Sequence, residues 1–347
     1  MLFAKSALIS RVQRNCHIAD ARHGTDFGLC TYLMKMREFY RWEHDIAFTQ
    51  HLTNDDLGDW LTGRETLWED LEESQLEPVD IRGRFFSPFD TSLINAALTD
   101  NGLVYSGGYA SHGKPVFFLA ELEAEHQHDD YTLYVAGHEL ARDLSAPPGM
   151  ASDKTIFIRK ESLRRFIWEK FEESHWHKQA NPLSRALNSY DFDKQPIEAL
   201  DRMTDIETDT VVHHEIGEIM ASKILGNTWN SMVMNMPRSQ LEFMARAIKD
   251  HLADAISTLP KLIENPEPAQ IHFYFANMTG MRKEIFPSLH DAYNTWVKQG
   301  SLNHLMEKTE QSKQHWETLG KDLLDIFEAS GNSSYDSMQK LISSRYL

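Results

Sequence analysis

Cysteine and long apolar stretches are scarce in this chain. Its 347 residues contain only two cysteines, Cys16 and Cys30, which are too few for a disulfide framework and suit a reducing compartment. No stretch approaches the ~20 apolar residues of a membrane helix. The first nineteen residues are interrupted by Arg11 and Arg14 and have no small-residue cleavage pattern. We therefore expect a cytoplasmic protein that is neither secreted nor inserted in a membrane.

Excess positive charge and phosphate-binding motifs are also missing. The formal net charge of -17 repels polyanions, so nucleic acid is not an expected partner. The chain has no G-x-G-x-x-G or phosphate-loop pattern, because Gly107-Gly108 lies in a hairpin-like context and not between a strand and a helix. A small-molecule substrate or a protein partner is left as the expected ligand.

Apolar residues are abundant, at 41% of the chain, and the length exceeds that of most single domains. Two packed units are therefore expected. The segment Pro147-Pro148-Gly149 marks their boundary, with an N-terminal α+β region over 1–150 and a mostly helical region over 151–347.

Hydrophobic periodicity predicts the elements of both regions. Residues 31–48 and 54–73 have helical spacing, whereas three strand-like runs between residues 102 and 135, with a fourth at 156–158, predict a small antiparallel meander. The expected C-terminal helices lie near 209–225, 239–259, 268–280, 283–298 and 302–329. The predicted fold class is α+β and predominantly helical, with a small antiparallel β-meander and a C-terminal helical bundle.

The segment His213-His-Glu-Ile-Gly-Glu218 concentrates polar groups in a helix that is apolar on most sides. His214 and Glu218 lie one turn apart on one face, with Glu215 beside them. This pattern indicates a divalent metal held by His214 and Glu218, with Glu215 as acid or base. The motif departs from the H-E-x-x-H zinc helix, and a solvated polar face is the alternative.

A complete metal site needs a third ligand, and His251 on the following helix is the candidate. For His251 alone, a hydrogen bond to a backbone carbonyl is the alternative and the more common outcome. Zinc, iron and manganese all suit such ligands. The sequence thus favours a metal-dependent hydrolase over a metal-dependent oxidoreductase. The competing hypothesis is a non-enzymatic binding or assembly protein in which the same helix contributes a buried polar network.

Two arginines on the early helix form a second candidate site. Arg37 and Arg41 have i,i+4 spacing and could bind a carboxylate or phosphate of the substrate. The alternative is a structural ion network with the acidic neighbours Glu38, Glu43 and Asp45.

The segment NCHIADARHGTDFGLCTYLMKMREFYRWE, together with the later HHEIGE helix, resembles a family of uncharacterised bacterial proteins. The resemblance spans most of the chain. It implies no activity, cofactor or catalytic residue.

Overall fold

The computed structural model describes four stretches of the chain, which are residues 5–110, 113–152, 154–175 and 180–347. Two compact units are present. The first comprises the described residues of Met1–Met150 and Phe157–Glu169, and the second those of Ala151–Ile156 and Lys170–Leu347. Across the four described stretches, no helix is long and apolar enough to cross a membrane.

The early part of the chain contains both helices and strands, and the later part is helical. The first elements are α1 (Lys5–His23), α2 (Leu29–Glu43), α3 (Asn54–Leu71), β1 (Val79–Ile81), β2 (Arg84–Phe86), α4 (Thr91–Leu98), β3 (Leu103–Tyr109), β4 (Pro115–Gln127), β5 (Thr132–Arg142), β6 (Gly149–Ser152) and β7 (Thr155–Arg159). The later elements are α5 (Lys160–Ser174), α6 (Pro182–Asn188), α7 (Pro196–Asn235), α8 (Gln240–Ala253), a π-helix (Asp254–Thr258), α9 (Leu259–Glu264), α10 (Pro268–Asn277), α11 (Gly280–Ile285), α12 (Pro287–Gln299), α13 (Asn303–Ser330) and α14 (Tyr335–Ser343).

The larger sheet has the strand order β3-β4-β5-β7-β6, and β1 and β2 form a separate hairpin. Strands β3, β4 and β5 pair antiparallel, as the meander prediction requires. Successive residues of β4 serve opposite faces: Phe117 and Leu119 pack in the same apolar cluster as α1, while Phe118 and Ala120 belong to the cluster that contains Phe157. The predicted fold class, α+β and predominantly helical, is confirmed.

The second unit is built around the buried side chains of several helices. Trp316 of α13 is fully buried in a cluster that also contains residues of α7, α8 and α12. Helix α8 begins where Ser239 accepts a hydrogen bond from the backbone N–H of Glu242. Helix α7 is interrupted at Gly226, whose φ of 74° and ψ of 177° are not helical. The helix expected near 209–225 thus begins earlier, at Pro196, and breaks at the glycine that marks its predicted end.

A buried ion network fixes β5 to β7 in the first unit. Glu139 and Arg159 are both fully buried, and Arg159 Nε donates to Glu139 Oε1 at 2.8 Å. The same carboxylate oxygen accepts from Ser162 Oγ at 2.5 Å, and Arg142 Nε lies 3.4 Å from Glu139 Oε2. These contacts hold the pKa of Glu139 at about 2, because the charges of the two arginines outweigh the effect of burial.

We expect Arg159→Met to lower the free energy of unfolding by roughly 3–5 kcal/mol, because it removes the nearest cation from a buried carboxylate. Lys5→Met is the matched control. Lys5 pairs with Glu121 at 3.2 Å on the surface, where an ion pair contributes only ~0–1 kcal/mol. Urea unfolding followed by circular dichroism measures both variants, and equal losses of stability would contradict the structural importance of this network.

Candidate functional site

Helix α7 carries the histidines and glutamates of the HHEIGE segment, and it lies unusually close to α8. A Cβ atom added at Gly217 would lie 2.3 Å from the backbone oxygen of Ala253, so only glycine permits this approach. Ala253 is the last residue of α8, and the chain continues as the π-helix Asp254–Thr258. Such wider helical turns occur often at functional sites. Here the close approach and the wide turn bring Asp254 beside His214.

Asp254 is a fully buried acceptor at the centre of the site. Its Oδ1 accepts hydrogen bonds from His214 Nδ1 at 2.9 Å and from Thr258 Oγ1 at 3.0 Å. Its Oδ2 accepts from the Tyr274 hydroxyl at 2.8 Å and from the Arg282 guanidinium. Burial raises the pKa of a carboxyl, but the charges of Arg282 and His214 hold the pKa of Asp254 well below its usual range. Asp254 is therefore ionised, and each of its two oxygens accepts two hydrogen bonds.

His214 is the partly exposed member of this network. Its side chain is 31% exposed, and the described residues provide no hydrogen-bond partner for its Nε2. Burial alone would lower the pKa of His214, but the hydrogen bond and the charge of Asp254 have the larger effect and raise it to about 10. At neutral pH the side chain is an imidazolium whose Nε2–H can donate to a bound molecule.

Three carboxyl groups, from Glu215, Glu218 and Asp250, lie within electrostatic reach of His214. Glu218 pairs with Lys249 at 2.8 Å, and its Oε1 is buried without a hydrogen-bond partner among the described residues. Burial, reinforced by the charge of Glu218, raises the pKa of Glu215 to about 7 and that of Asp250 to about 6. A carboxyl group with a pKa near 7 can both accept and donate a proton at neutral pH.

His251, the expected third ligand, is enclosed by aromatic side chains. Its ring stacks on Trp316 at a centroid distance of 5.1 Å and meets Phe286 edge-on at 5.2 Å. His251 Nε2 lies 2.8 Å from the backbone oxygen of Arg282 and donates to it. Burial, with the charge of Arg282, lowers the pKa of His251 to about 3, so the ring is neutral. These contacts match the alternative of a histidine that is bonded to a backbone carbonyl.

The donor atoms fit a metal ion only in part. In the described stretches, no three or more side chains of His, Cys, Asp or Glu are grouped in a way that could hold one. His214 Nε2, Glu218 Oε1 and His251 Nδ1 have no hydrogen-bond partner among the described residues, whereas both oxygens of Asp254 accept hydrogen bonds within the protein. Catalytic zinc commonly has three protein ligands, and these three side chains are not grouped closely enough to supply them.

Arg37 and Arg41 lie on α2, in the first unit, whereas His214 lies in the second. Arg41 is buried, and its Nη1 donates to the backbone oxygens of Ala47 at 2.7 Å and Gln50 at 2.9 Å. Arg37 Nε and Arg41 Nε lie 3.1 and 3.4 Å from Glu38 Oε1. These contacts fit the structural ion network, one of the two alternatives that the spacing leaves open.

The sequence motif does not identify the groups that organise the site. Asp254 follows His251 by three residues and stands among apolar neighbours, which is a usable signal for a buried carboxylate with a partner. Tyr274 and Arg282 lie on α10 and α11, and no periodicity connects them to the HHEIGE segment. Their role follows only from the tertiary structure.

We expect Asp254→Asn to lower the pKa of His214 from about 10 toward 6.5, because it removes the negative charge that stabilises the imidazolium. In the native protein the raised pKa of His214 contributes stability that is fully present below about pH 6.5 and is lost as the pH rises through about 10, whereas the lowered pKa of Asp254 contributes stability that is lost as the pH falls below about 3.8. Titration of histidine ring resonances by NMR measures the pKa, with Asp209→Asn beside His213 as the control. A native His214 pKa near 6.5 would contradict the strength of this pair.

Two family models match the chain. The model described as the N-terminal domain of a family of unknown function (DUF6866) matches residues 7–159, and the model of its C-terminal domain matches residues 164–345. No curated protein and no solved structure gives a match. The resemblance to an uncharacterised family is thereby confirmed, and the chain belongs to the DUF6866 family, in which it has both the N-terminal and the C-terminal domain.

Proposed function

We propose that the second unit is an acid–base enzyme for a small-molecule substrate, with hydrolysis as the reaction class. The main support is the 2.9 Å hydrogen bond between His214 Nδ1 and the buried carboxylate of Asp254. An imidazole that is held through one nitrogen keeps the other nitrogen oriented toward a reacting group. A cytoplasmic location is part of the proposal, and the free thiols of Cys16 and Cys30 support it.

Each group has a distinct role in this proposal. His214 in its charged form donates a proton from Nε2 to the leaving group, while Asp254 positions the ring and stabilises its charge. Glu215 is the second acid or base, because a pKa of about 7 leaves roughly half of its carboxyl groups ionised at neutral pH and able to accept a proton from water.

A divalent metal, zinc, iron or manganese, is a second candidate for the same site. Two observations favour it: Glu218 Oε1 is buried without a partner, and metal-bound histidines usually donate their other ring N–H to a carboxylate, as His214 does to Asp254. His214 and Glu218 would hold the ion, and His214 would lose its Nε2 proton on binding. Zinc would supply Lewis acidity for hydrolysis, whereas iron would supply the redox chemistry of an oxidoreductase.

We expect His214→Asn to reduce turnover by a factor of roughly 10²–10⁴, the usual contribution of one general acid. The assay is a panel of chromogenic p-nitrophenyl esters, p-nitrophenyl phosphate and p-nitroanilides. His304→Asn is the matched control, because His304 is 57% exposed and its nearest carboxylate, in Glu307, lies 3.9 Å away. A native protein that hydrolyses none of these compounds, combined with a large loss of stability in His214→Asn, would favour the non-enzymatic network.

Elemental mass spectrometry of protein purified without a histidine tag tests the metal. The metal candidate requires about one bound ion per chain, reduced by His214→Ala and by Glu218→Ala because each removes a ligand, and unchanged in His304→Ala. Stoichiometric metal that survives both of the first two substitutions would exclude these ligands. If metal-free protein retains activity, the acid–base proposal stands and the metal candidate is excluded.

A further inference from the structure

A cavity of about 240 Å³ opens in the second unit, between α7, the π-helix, α9 and the start of α10. His213 lines it, whereas His214, Glu215 and Glu218 do not. Its volume is below the ~300–1,000 Å³ of pockets for drug-sized ligands and suits a small metabolite. Leu262 is the one apolar residue among the described residues that line it, and the others offer polar groups for binding.

Lys261 gives the cavity a positive charge. Its side chain is half-buried, and no described carboxylate lies within ion-pair distance of it. An unpaired ammonium group at the edge of a cavity can pair with a carboxylate of a ligand, and partial removal from water strengthens that attraction.

Two acidic residues, Asp209 and Glu267, also line the cavity and are exposed. His213 also lines the cavity and lies beside Asp209. Its Nε2 lies 3.7 Å from Asp209 Oδ1, and its Nδ1 lies 3.3 Å from Ser257 Oγ. Asp209 and Glu267 thus present their carboxylate groups at the cavity.

The remaining wall supplies hydrogen-bonding groups without adding charge. Gln270 Nε2 donates to Thr210 Oγ1 and to the backbone oxygen of Ile206, both at 3.2 Å. Glu207, one turn before Thr210, is almost completely buried. Burial raises the pKa of Glu207 to about 8, so this carboxyl group is mostly protonated at neutral pH and does not oppose the charge of Lys261 or add to that of Asp209.

We propose that this cavity binds a small zwitterion, such as a free amino acid, whose carboxylate pairs with Lys261 and whose ammonium group pairs with Asp209 and Glu267. A dicarboxylate would bring a second negative charge toward two acids, and a diamine would bring a positive charge toward Lys261. The cavity thus presents charges of both signs, which a zwitterion can pair at the same time. This assignment does not depend on the reaction proposed for His214.

Isothermal titration calorimetry on the full chain tests the ligand class with the twenty common amino acids, succinate and putrescine as probes. We expect at least one amino acid to bind. Its carboxamide, which lacks the carboxylate, and its N-acetyl derivative, which lacks the ammonium group, should each bind at least about tenfold more weakly. No binding by any amino acid, or tighter binding of succinate or putrescine, would overturn the proposal.

Matched variants locate the site. Lys261→Met and Asp209→Asn should each weaken binding of that amino acid by at least about tenfold, whereas Lys298→Met, a change at an exposed lysine of α12, should not. Asp209 is 56% exposed, so its substitution tests the site even if Lys261→Met impairs folding. Native affinity in folded Lys261→Met or in Asp209→Asn would refute the site. Calorimetry detects binding without turnover, so the result is independent of the hydrolysis assay.

Discussion

The carboxylate of Asp254 is the group on which the second unit's polar interior depends. It is completely buried, and its two oxygens accept hydrogen bonds from α7, from its own π-helix, from α10 and from α11. Removing an ion from water is costly, and that cost is offset only when its partners are close and complete. Four segments of the chain must therefore meet at one point for this carboxylate to be tolerated.

A glycine and the π-helix allow these segments to come together around Asp254. Gly217 lets α7 approach the backbone of Ala253, and the π-helix turns Asp254 toward that contact. Arg282 then serves twice: its guanidinium pairs with Asp254, and its backbone oxygen accepts the hydrogen bond from His251. The two histidines consequently differ in charge. The pKa of His214, which lies beside the carboxylate, is raised, whereas the pKa of His251, which lies among aromatic rings, is lowered.

Periodicity in the sequence was sufficient to predict the meander, most helices and the break at Gly226, because each of these depends on local pattern. Helix α1 was not predicted, although Leu8, Val12 and Cys16 have helical spacing, because the polar residues that it also buries obscure its apolar face. For the site, spacing correctly places His214 and Glu218 on one helix. It cannot supply Tyr274 or Arg282, since tertiary contacts between separate helices have no signature in one sequence.

The π-helix has a consequence for how the second unit tolerates changes in chain length. A π turn contains about one more residue than an α turn, and each added residue rotates the following helix by about 100°. Thr258, at the end of this segment, both donates to Asp254 and lines the cavity that contains Lys261. A deletion within Asp254–Thr258 would therefore have two effects at once: it would rotate α9 away from the cavity, and it would displace the Thr258 hydroxyl that donates to Asp254. A substitution in this segment would alter only one of these contacts.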